Sequence, residues 1–362
     1  MDLSILTIPG HLPTHLPFKQ VKSGFFNLST VWSGEDPLAD SLTRPLEIPC
    51  LVHNTQRDGP IVGITAAIHG DESNGCFVLA NLFRELREGS IKIESGVLVG
   101  FPVVNIEGFL QATRLWRGKD LNREFLLSRR GFVAEYARRF LHSYVSQLDL
   151  LIDLHAVSRV HKSALHIRAD LTDPVAVRMA HKLRVPIVVH QPSPAGSMRH
   201  AAFSEFGIHS VCIEVGSALT LAPDQTRQTV AGLAEFLGDL DRPTPVPGHP
   251  LSSRSPLICG GVNWVRSPCA GLPELICSPG EIIEPGQQLG KVYSLAGDCI
   301  TKVIYPVSQR RGVVLSQLSA PGAVPQYELV RVGWLADPGA FAAPCSSWTR
   351  GRRTAAGKGA AR

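Results

Sequence analysis

The sequence predicts an α/β fold: a mainly parallel mixed sheet flanked by helices, followed by a small β-rich C-terminal domain. Three observations carry this expectation. Between about residues 46 and 240, apolar runs of strand length alternate with longer segments of helical period. That is the pattern of a largely parallel sheet covered on both faces. A proline-rich stretch, DRPTPVPGHP at 241–250, then interrupts the chain. Beyond it the apolar runs are short, are cut by Gly and Pro and show no long helical period, which reads as β structure.

Residues 1–45 read as an N-terminal arm, irregular over the proline-rich residues 8–17, and the α/β domain is expected over 46–240. Residues 61–68 are almost wholly apolar and form a strand. They run into His69-Gly70-Asp71-Glu72 and then a helix over 74–88, where Phe77, Leu79, Ala80, Leu82, Phe83 and Leu86 make one broad apolar stripe. Gly75, in the first turn of that helix, is expected to let the chain approach the end of the strand closely. Further strands are predicted at 97–104, 148–154, 164–168, 186–190 and 211–215, and helices at 131–147, 173–183 and 223–240. Residues 241–250 are the linker, 251–340 the β-rich domain, and 341–362 a basic tail whose Gly, Ala and Arg content reads as disordered.

Three of the strands end in side chains that can bind metal. His69 and Glu72 follow the first. His155 ends the run Leu150-Leu151-Ile152-Asp153-Leu154, and Glu214 ends Val211-Cys212-Ile213. Sites in such sheets form at the carboxyl edge of the strands. Two histidines and one glutamate are a known set for a catalytic Zn²⁺, one ion per chain, with a fourth position left for water. Ligand type alone admits other divalent metals. The spacing differs from H-E-x-x-H on one helix: His69 leaves a strand, and Glu72 lies near the start of a helix. Zinc lowers the pKa of its water to about 7, and a carboxylate outside the ligand set can move the proton. Glu214, between Ile213 and Val215, is the candidate. Burial there is expected to raise its pKa. The structural alternative is an ion pair with Arg199.

The motifs occur in a fixed order: H-G-D-E; V-N-x-x-G-F (Val104, Asn105, Gly108, Phe109); an arginine; D-L-N-R-x-F (Asp120, Leu121, Asn122, Arg123, Phe125); D-L-H (Asp153, Leu154, His155); I-E-x-G (Ile213, Glu214, Gly216). This order resembles the succinylglutamate desuccinylase/aspartoacylase family, a branch of the zinc carboxypeptidase superfamily, over about residues 47–240. The resemblance implies a zinc-carboxypeptidase-like fold with His69, Glu72 and His155 on the metal and Glu214 as general base and acid. It implies that Asn122 and Arg123 clamp a substrate carboxylate, and that an arginine before D-L-N-R polarises the scissile carbonyl. Arg114 fits that place by following the N-x-x-G-F element, with Arg117 as its rival. A C-terminal domain that leans over the site and limits substrate size is also implied.

Residue chemistry bears on these roles. A guanidinium grips a carboxylate bidentately, and an asparagine can donate beside it. An isolated D-x-N-R would otherwise read as a surface salt bridge in a turn. Asp153 either orients a ligand histidine or caps a strand end. Arg168 and Arg199 could add an anionic contact, and His161, His166, His181 and His190 read as surface or structural.

The resulting expectation is a zinc-dependent amidohydrolase acting on a small N-acyl amino acid. The alternatives are a zinc carboxypeptidase acting on peptides and a catalytically silent metal- or ligand-binding homologue. The formal charge of +5 is concentrated in the tail, where Arg350, Arg352, Arg353, Lys358 and Arg362 stand without an acid. Without those five, 31 basic residues face 31 acidic ones. No overall basic field for nucleic acid follows, and no such partner is expected. No run approaches the roughly 18 apolar residues that span a bilayer, and the N-terminus lacks a signal pattern, so no membrane association is expected. The eight cysteines contain no C-x-x-C pair, which argues against a structural zinc knot and makes a cytoplasmic location the default. Oligomeric state is left open.

Overall fold

The computed structural model describes residues 17–30, 46–238, 240, 255–345 and 348. Most of the expected N-terminal arm, the linker at 241–250 and most of the basic tail lie outside these residues. In chain order the α/β part contains β1 (Gly24–Thr30), β2 (Leu46–Asn54), β3 (Ile61–Thr65), α1 (Asn74–Glu88), β4 (Val97–Phe101), α2 (Ile106–Leu110), α3 (Phe132–Ser143), β5 (Leu150–Val157) and β6 (His161–Ser163). It continues with β7 (His166–Ala169), α4 (Pro174–Lys182), β8 (Ile187–His190), α5 (Met198–Phe206), β9 (His209–Ser217) and α6 (Pro223–Gly238). Seven strands follow: β10 (Leu257–Arg266), β11 (Leu272–Leu275), β12 (Ile282–Ile283), β13 (Gln288–Tyr293), β14 (Cys299–Ile304), β15 (Gly312–Leu318) and β16 (Glu328–Leu335).

The predicted fold class is borne out. Thirteen strands form one mixed sheet, ordered β1-β2-β4-β3-β5-β9-β7-β8-β10-β16-β15-β12 with β6 added beside β15. A separate antiparallel sheet, β11-β13-β14, stands in the C-terminal region. The centre is parallel: β3 pairs with both β4 and β5, and β5 pairs with β9. These strands are apolar at nearly every position because both faces are covered. On one face Val78 and Leu82 of α1, Met179 of α4 and Leu233 and Phe236 of α6 share a buried cluster with the strands. On the other, Tyr136 and Phe140 of α3 and Ala201 and Ala202 of α5 do so. No helix among the described residues is long and apolar enough to cross a membrane.

The differences from expectation have local causes. The apolar runs at 61–68 and 97–104 extend past their strands, which end at Thr65 and Phe101. Their last residues stay buried while the backbone turns into the loops that carry the site. Helix α5 has no counterpart in the sequence reading. Its buried residues include Met198, Ala201 and Ala202, too small a set to give a clear period of large apolar side chains. The C-terminal strands also extend the main sheet. Leu257 of β10 pairs with Ile187 of β8 in parallel, covering an edge that would otherwise be exposed.

Two glycines set the geometry beneath the site. A Cβ on Gly70 would lie 2.0 Å from the backbone carbon of Gly108. The H-G-D-E turn therefore rests directly on the start of α2, whose Asn105 side chain accepts a hydrogen bond from the Gly108 N–H at 2.8 Å. Gly75 serves a second close approach. Its Cβ would lie 2.8 Å from Ala66 and Leu154, so it lets α1 settle onto β3 and β5.

Candidate metal centre and active site

Strand register assembles the site. His155 in β5 and Glu214 in β9 are paired neighbours, and His69 and Glu72 come from the turn that leaves β3. His69, Glu72 and His155 form a buried cluster that could hold a metal ion, with one donor atom from each lying within 4.8 Å of the others. Nδ1 of His69 is 2.8 Å from Glu72 Oε1, and Nδ1 of His155 is 2.9 Å from Glu72 Oε2. The Ala156 N–H also donates to Glu72 Oε2 at 2.9 Å. Behind the rings, His155 Nε2 faces Asp153 Oδ2 at 2.8 Å, and His69 Nε2 faces Asp120 Oδ1 at 3.2 Å. Asp153 is itself held by the Thr65 hydroxyl at 2.8 Å.

This donor set fits a divalent cation. A proton on each Nε2 satisfies the carboxylate behind it and leaves the Nδ1 lone pair facing Glu72. Outer partners of this kind fix the tautomer and orientation of a ligand histidine. Two lone pairs and a carboxylate repel one another unless a cation lies between them. In the metal-free site, protons meet that need. Burial alone would lower His155, but Asp153 and Glu72 outweigh it and hold the imidazole well above its ordinary pKa. Burial would raise Glu72, yet the two histidines hold it well below the usual carboxylate range.

Glu214 is 4% exposed and has an arginine partner, though not the one considered from sequence. Arg168 Nη2 lies 2.6 Å from its Oε1, while Arg199 donates to the side chain and carbonyl of Ser210. The expected rise in pKa is therefore corrected. Burial pushes the Glu214 carboxyl up, but Arg168, His155 and His166 together bring it below its ordinary value. Its other oxygen, Oε2, is buried without a hydrogen-bond partner among the described residues. His166 stands opposite Glu214 in register and is buried, its pKa pushed down to about 4 chiefly by desolvation.

The two candidate arginines separate clearly. Arg114 reaches the cluster, with Nη1 3.1 Å from Glu72 Oε1 and Nη2 3.0 Å from Asp120 Oδ2. Arg117 turns away. It bonds Glu107 at 3.1 Å and lies over the Phe132 ring. Asn122 is buried. Its Oδ1 accepts from the Met198 N–H at 2.9 Å, and its Nδ2 points toward His155 Nε2 at 3.5 Å. Arg123 is more exposed and spends one N–H on the Asn122 carbonyl at 2.7 Å.

His69, Glu72, His155, Glu214, Arg114, Asn122 and Arg123 line one cavity of about 220 Å³. Its wall also includes Trp264 of β10, Ser316 of β15 and Glu328 and Arg331 of β16. The C-terminal strands thus contribute directly to the site, as the resemblance implied. Sequence reasoning missed Trp264 and Arg331, which sit in a region with no motif, and the pairing of Arg168 with Glu214, which depends on strand register. Asp120 was visible within D-L-N-R, but nothing in the sequence linked it to His69.

Known proteins resemble this chain in sequence and in fold. The family model for the succinylglutamate desuccinylase/aspartoacylase catalytic domain matches residues 58–240, half of the chain. The chain belongs to this family. It is 26% identical over 272 residues to N-alpha-acetyl-L-2,4-diaminobutyric acid deacetylase of Halomonas elongata, a match covering 72% of this chain and 78% of the relative. It is 25% identical over 237 residues to succinylglutamate desuccinylase of Photorhabdus laumondii, covering 60% and 66%. Both names are those of deacylases. Among solved structures, a succinylglutamate desuccinylase/aspartoacylase from Rhodobacter sphaeroides superposes with a TM-score of 0.70 at 21% identity, covering 87% of this chain and 96% of that one. The product-bound ectoine utilization protein EutE (DoeB) from Ruegeria pomeroyi gives a TM-score of 0.67 at 22% identity, covering 86% and 94%. Such likeness supports the shared fold.

Proposed function

We propose that this chain is a zinc-dependent amidohydrolase that cleaves the amide bond of a small N-acyl amino acid. The observation that carries the reading is the paired arrangement of one closed and one open group. His69, Glu72 and His155 converge with the outer nitrogens of the two histidines already satisfied, and the Glu214 oxygen Oε2 stands in the same cavity without a hydrogen-bond partner among the described residues. Two relatives with deacylase names support the reaction class. When bound, zinc supplies an activated water at neutral pH and polarises the acyl carbonyl.

The chain's own residues supply the rest. Glu214 Oε2 takes a proton from the attacking water and passes it to the leaving amine, while Arg168 holds Oε1 and fixes the carboxylate's orientation. Arg114 presents its guanidinium beside the cluster, where it stabilises negative charge developing on the carbonyl oxygen. Asn122 is anchored through Oδ1 and keeps an N–H for the substrate. Arg123 presents the unused part of its fork to a substrate carboxylate. A cavity of about 220 Å³, walled on one side by Trp264 and its neighbours, favours an acyl amino acid over the peptide of the carboxypeptidase alternative, since pockets for drug-sized ligands run from about 300 Å³ upward.

The test is amine release from N-acetyl-, N-succinyl- and N-formyl-amino acids and from blocked dipeptides, with zinc and with chelator. Chelator-sensitive release from an acyl amino acid, lost when its carboxylate is amidated, is expected. Glu214→Gln should lower kcat by roughly 10²–10⁴-fold while zinc content is retained. Full activity in that variant would sink the proposal, and cleavage of blocked dipeptides alone would select the carboxypeptidase.

A further inference from the structure

Glu72 and Glu214 come from different parts of the chain, so their spacing is set by whatever ties the turn after β3 to the end of β9. One side chain does this directly. Asn74 is the first residue of α1, two positions after Glu72, and is 1% exposed. Its Oδ1 accepts from the Ala222 N–H at 3.0 Å. Its Nδ2 donates to the Thr220 carbonyl at 2.9 Å and to the Ser217 carbonyl at 3.2 Å. One N–H and two carbonyls fix which way the amide points, since the reverse orientation would set oxygen against oxygen. An asparagine at a helix start commonly bonds its own neighbouring backbone. Asn74 instead grips the loop that follows Glu214, 143 to 148 residues later. A backbone tie runs beside it, from the Leu219 N–H to the Asp71 carbonyl at 3.0 Å.

Gly216 lets the two parts meet. Its φ is +66°, and a Cβ there would lie 2.9 Å from Asn74 Nδ2 and 2.6 Å from the Ala222 Cβ. On its other side the Gly216 N–H donates to Gln225 Oε1 at 2.8 Å, and Gln225 Nε2 donates to the Ser163 carbonyl at 2.7 Å. The chain leaving Glu214 is thus held by one amide from α1 and another from α6. A general base acts only at hydrogen-bond distance from the proton it takes. A misplacement of about 1 Å can cost about 10²-fold.

We propose that Asn74 is a positioning residue that braces the H-G-D-E turn against the loop after β9 and so sets the spacing between Glu72 and Glu214, with Gln225 as its counterpart on α6. The effect on Glu214 as a base rests on the deacylase reading, and the brace itself does not.

Amide hydrogen exchange on the zinc-loaded full chain, resolved to single residues, tests the brace. The Gly216 and Ala222 N–H groups are expected to be protected in the parent. Asn74→Ala should speed exchange at Ala222 by roughly fivefold or more, the scale of one lost hydrogen bond, while amides in the centre of β5 keep their protection. Gln225→Ala should do the same at Gly216. Asn74→Asp keeps the volume and the acceptor for Ala222 but turns oxygen toward two carbonyls, so it should not restore the parent. In steady-state kinetics normalised to bound zinc, Asn74→Ala should lower kcat by roughly 10–100-fold, with KM and zinc affinity close to the parent's. A residue that served stability alone would lower the melting temperature and leave kcat per bound zinc unchanged. Rapid exchange at Gly216 and Ala222 in the parent would overturn the proposal even if no variant folds. So would parent-like kcat per bound zinc in Asn74→Ala, or a loss of zinc that accounts for all of the lost activity. Protection that depends on Asn74, in a parent that turns over no acyl amino acid, would support the brace and overturn the deacylase reading.

Discussion

Asp153→Asn tests whether the carboxylates behind the histidines prepare the metal site. Asp153 is fully buried, with one oxygen 2.8 Å from His155 Nε2 and the other accepting from Thr65 at 2.8 Å. Asparagine keeps the volume but has one acceptor oxygen. If that oxygen faces His155, the amide nitrogen must face the Thr65 hydroxyl, which then has to turn and accept. If it faces Thr65, the amide donates to Nε2 and drives the proton onto Nδ1, where the metal must bind. Either way the ring loses a negative neighbour that increases its basicity. Loss of such a partner weakens metal binding by about 10–100-fold, or about 1.4–2.7 kcal/mol. Thr65→Val removes one supporting hydrogen bond and should cost about 1 kcal/mol, near fivefold. Zinc affinity would be measured by competition with a chelating dye, and thermal unfolding of the chelated proteins would separate loss of fold from loss of metal. Parent-like zinc affinity in Asp153→Asn, or a larger loss in Thr65→Val, would refute the reasoning.

Two further outcomes follow from the same geometry. Because His155 is held well above its ordinary pKa in the metal-free protein, zinc must displace a proton at neutral pH. Affinity should rise with pH through the range between the ordinary histidine value, about 6.5, and the raised one. It should weaken as the solution is acidified. Calorimetry at pH 7 in buffers of different ionisation enthalpy should register proton release, and its absence would contradict the assignment. Arg114→Ala should lower kcat by roughly 10²–10³-fold, the scale of a lost oxyanion donor. Arg117→Ala should cost no more than about 1 kcal/mol of stability by thermal melt, since its exposed pair with Glu107 and its contact with Phe132 are both weak. The reverse order in steady-state kinetics would exchange their roles.

Much of the candidate site was legible because its metal-capable residues sit at fixed offsets from apolar strands. His69 and Glu72 follow residues 61–68, and His155 and Glu214 close two further runs, so alternation alone brought them toward one sheet edge. What alternation cannot supply is the identity of neighbours across strands. The sequence reading considered Arg199 as the partner of Glu214, and the antiparallel pairing of β7 with β9 supplied Arg168 instead. The direction of the Glu214 pKa is the reverse of that expected, because Arg168, His155 and His166 together outweigh burial here. Arg114 and Arg117 are separated by three positions, and only the turn between them decides that one reaches Glu72 while the other lies on Phe132.

By itself the sequence determined the fold class, the central strands and the larger helices of the α/β part, without β1, β2, β6, α2 or α5, and the chemical types gathered at the sheet edge. These follow from the period of burial and from short motifs, which are properties of neighbours along the chain. Tertiary structure alone decided that β10 extends the sheet from β8, that Trp264 and Arg331 enter a cavity whose metal-capable residues lie far earlier in the chain, and that Arg168 meets Glu214 there. The physical reason is that a buried charge is defined by what surrounds it, and its surroundings are assembled by strand pairing across long separations.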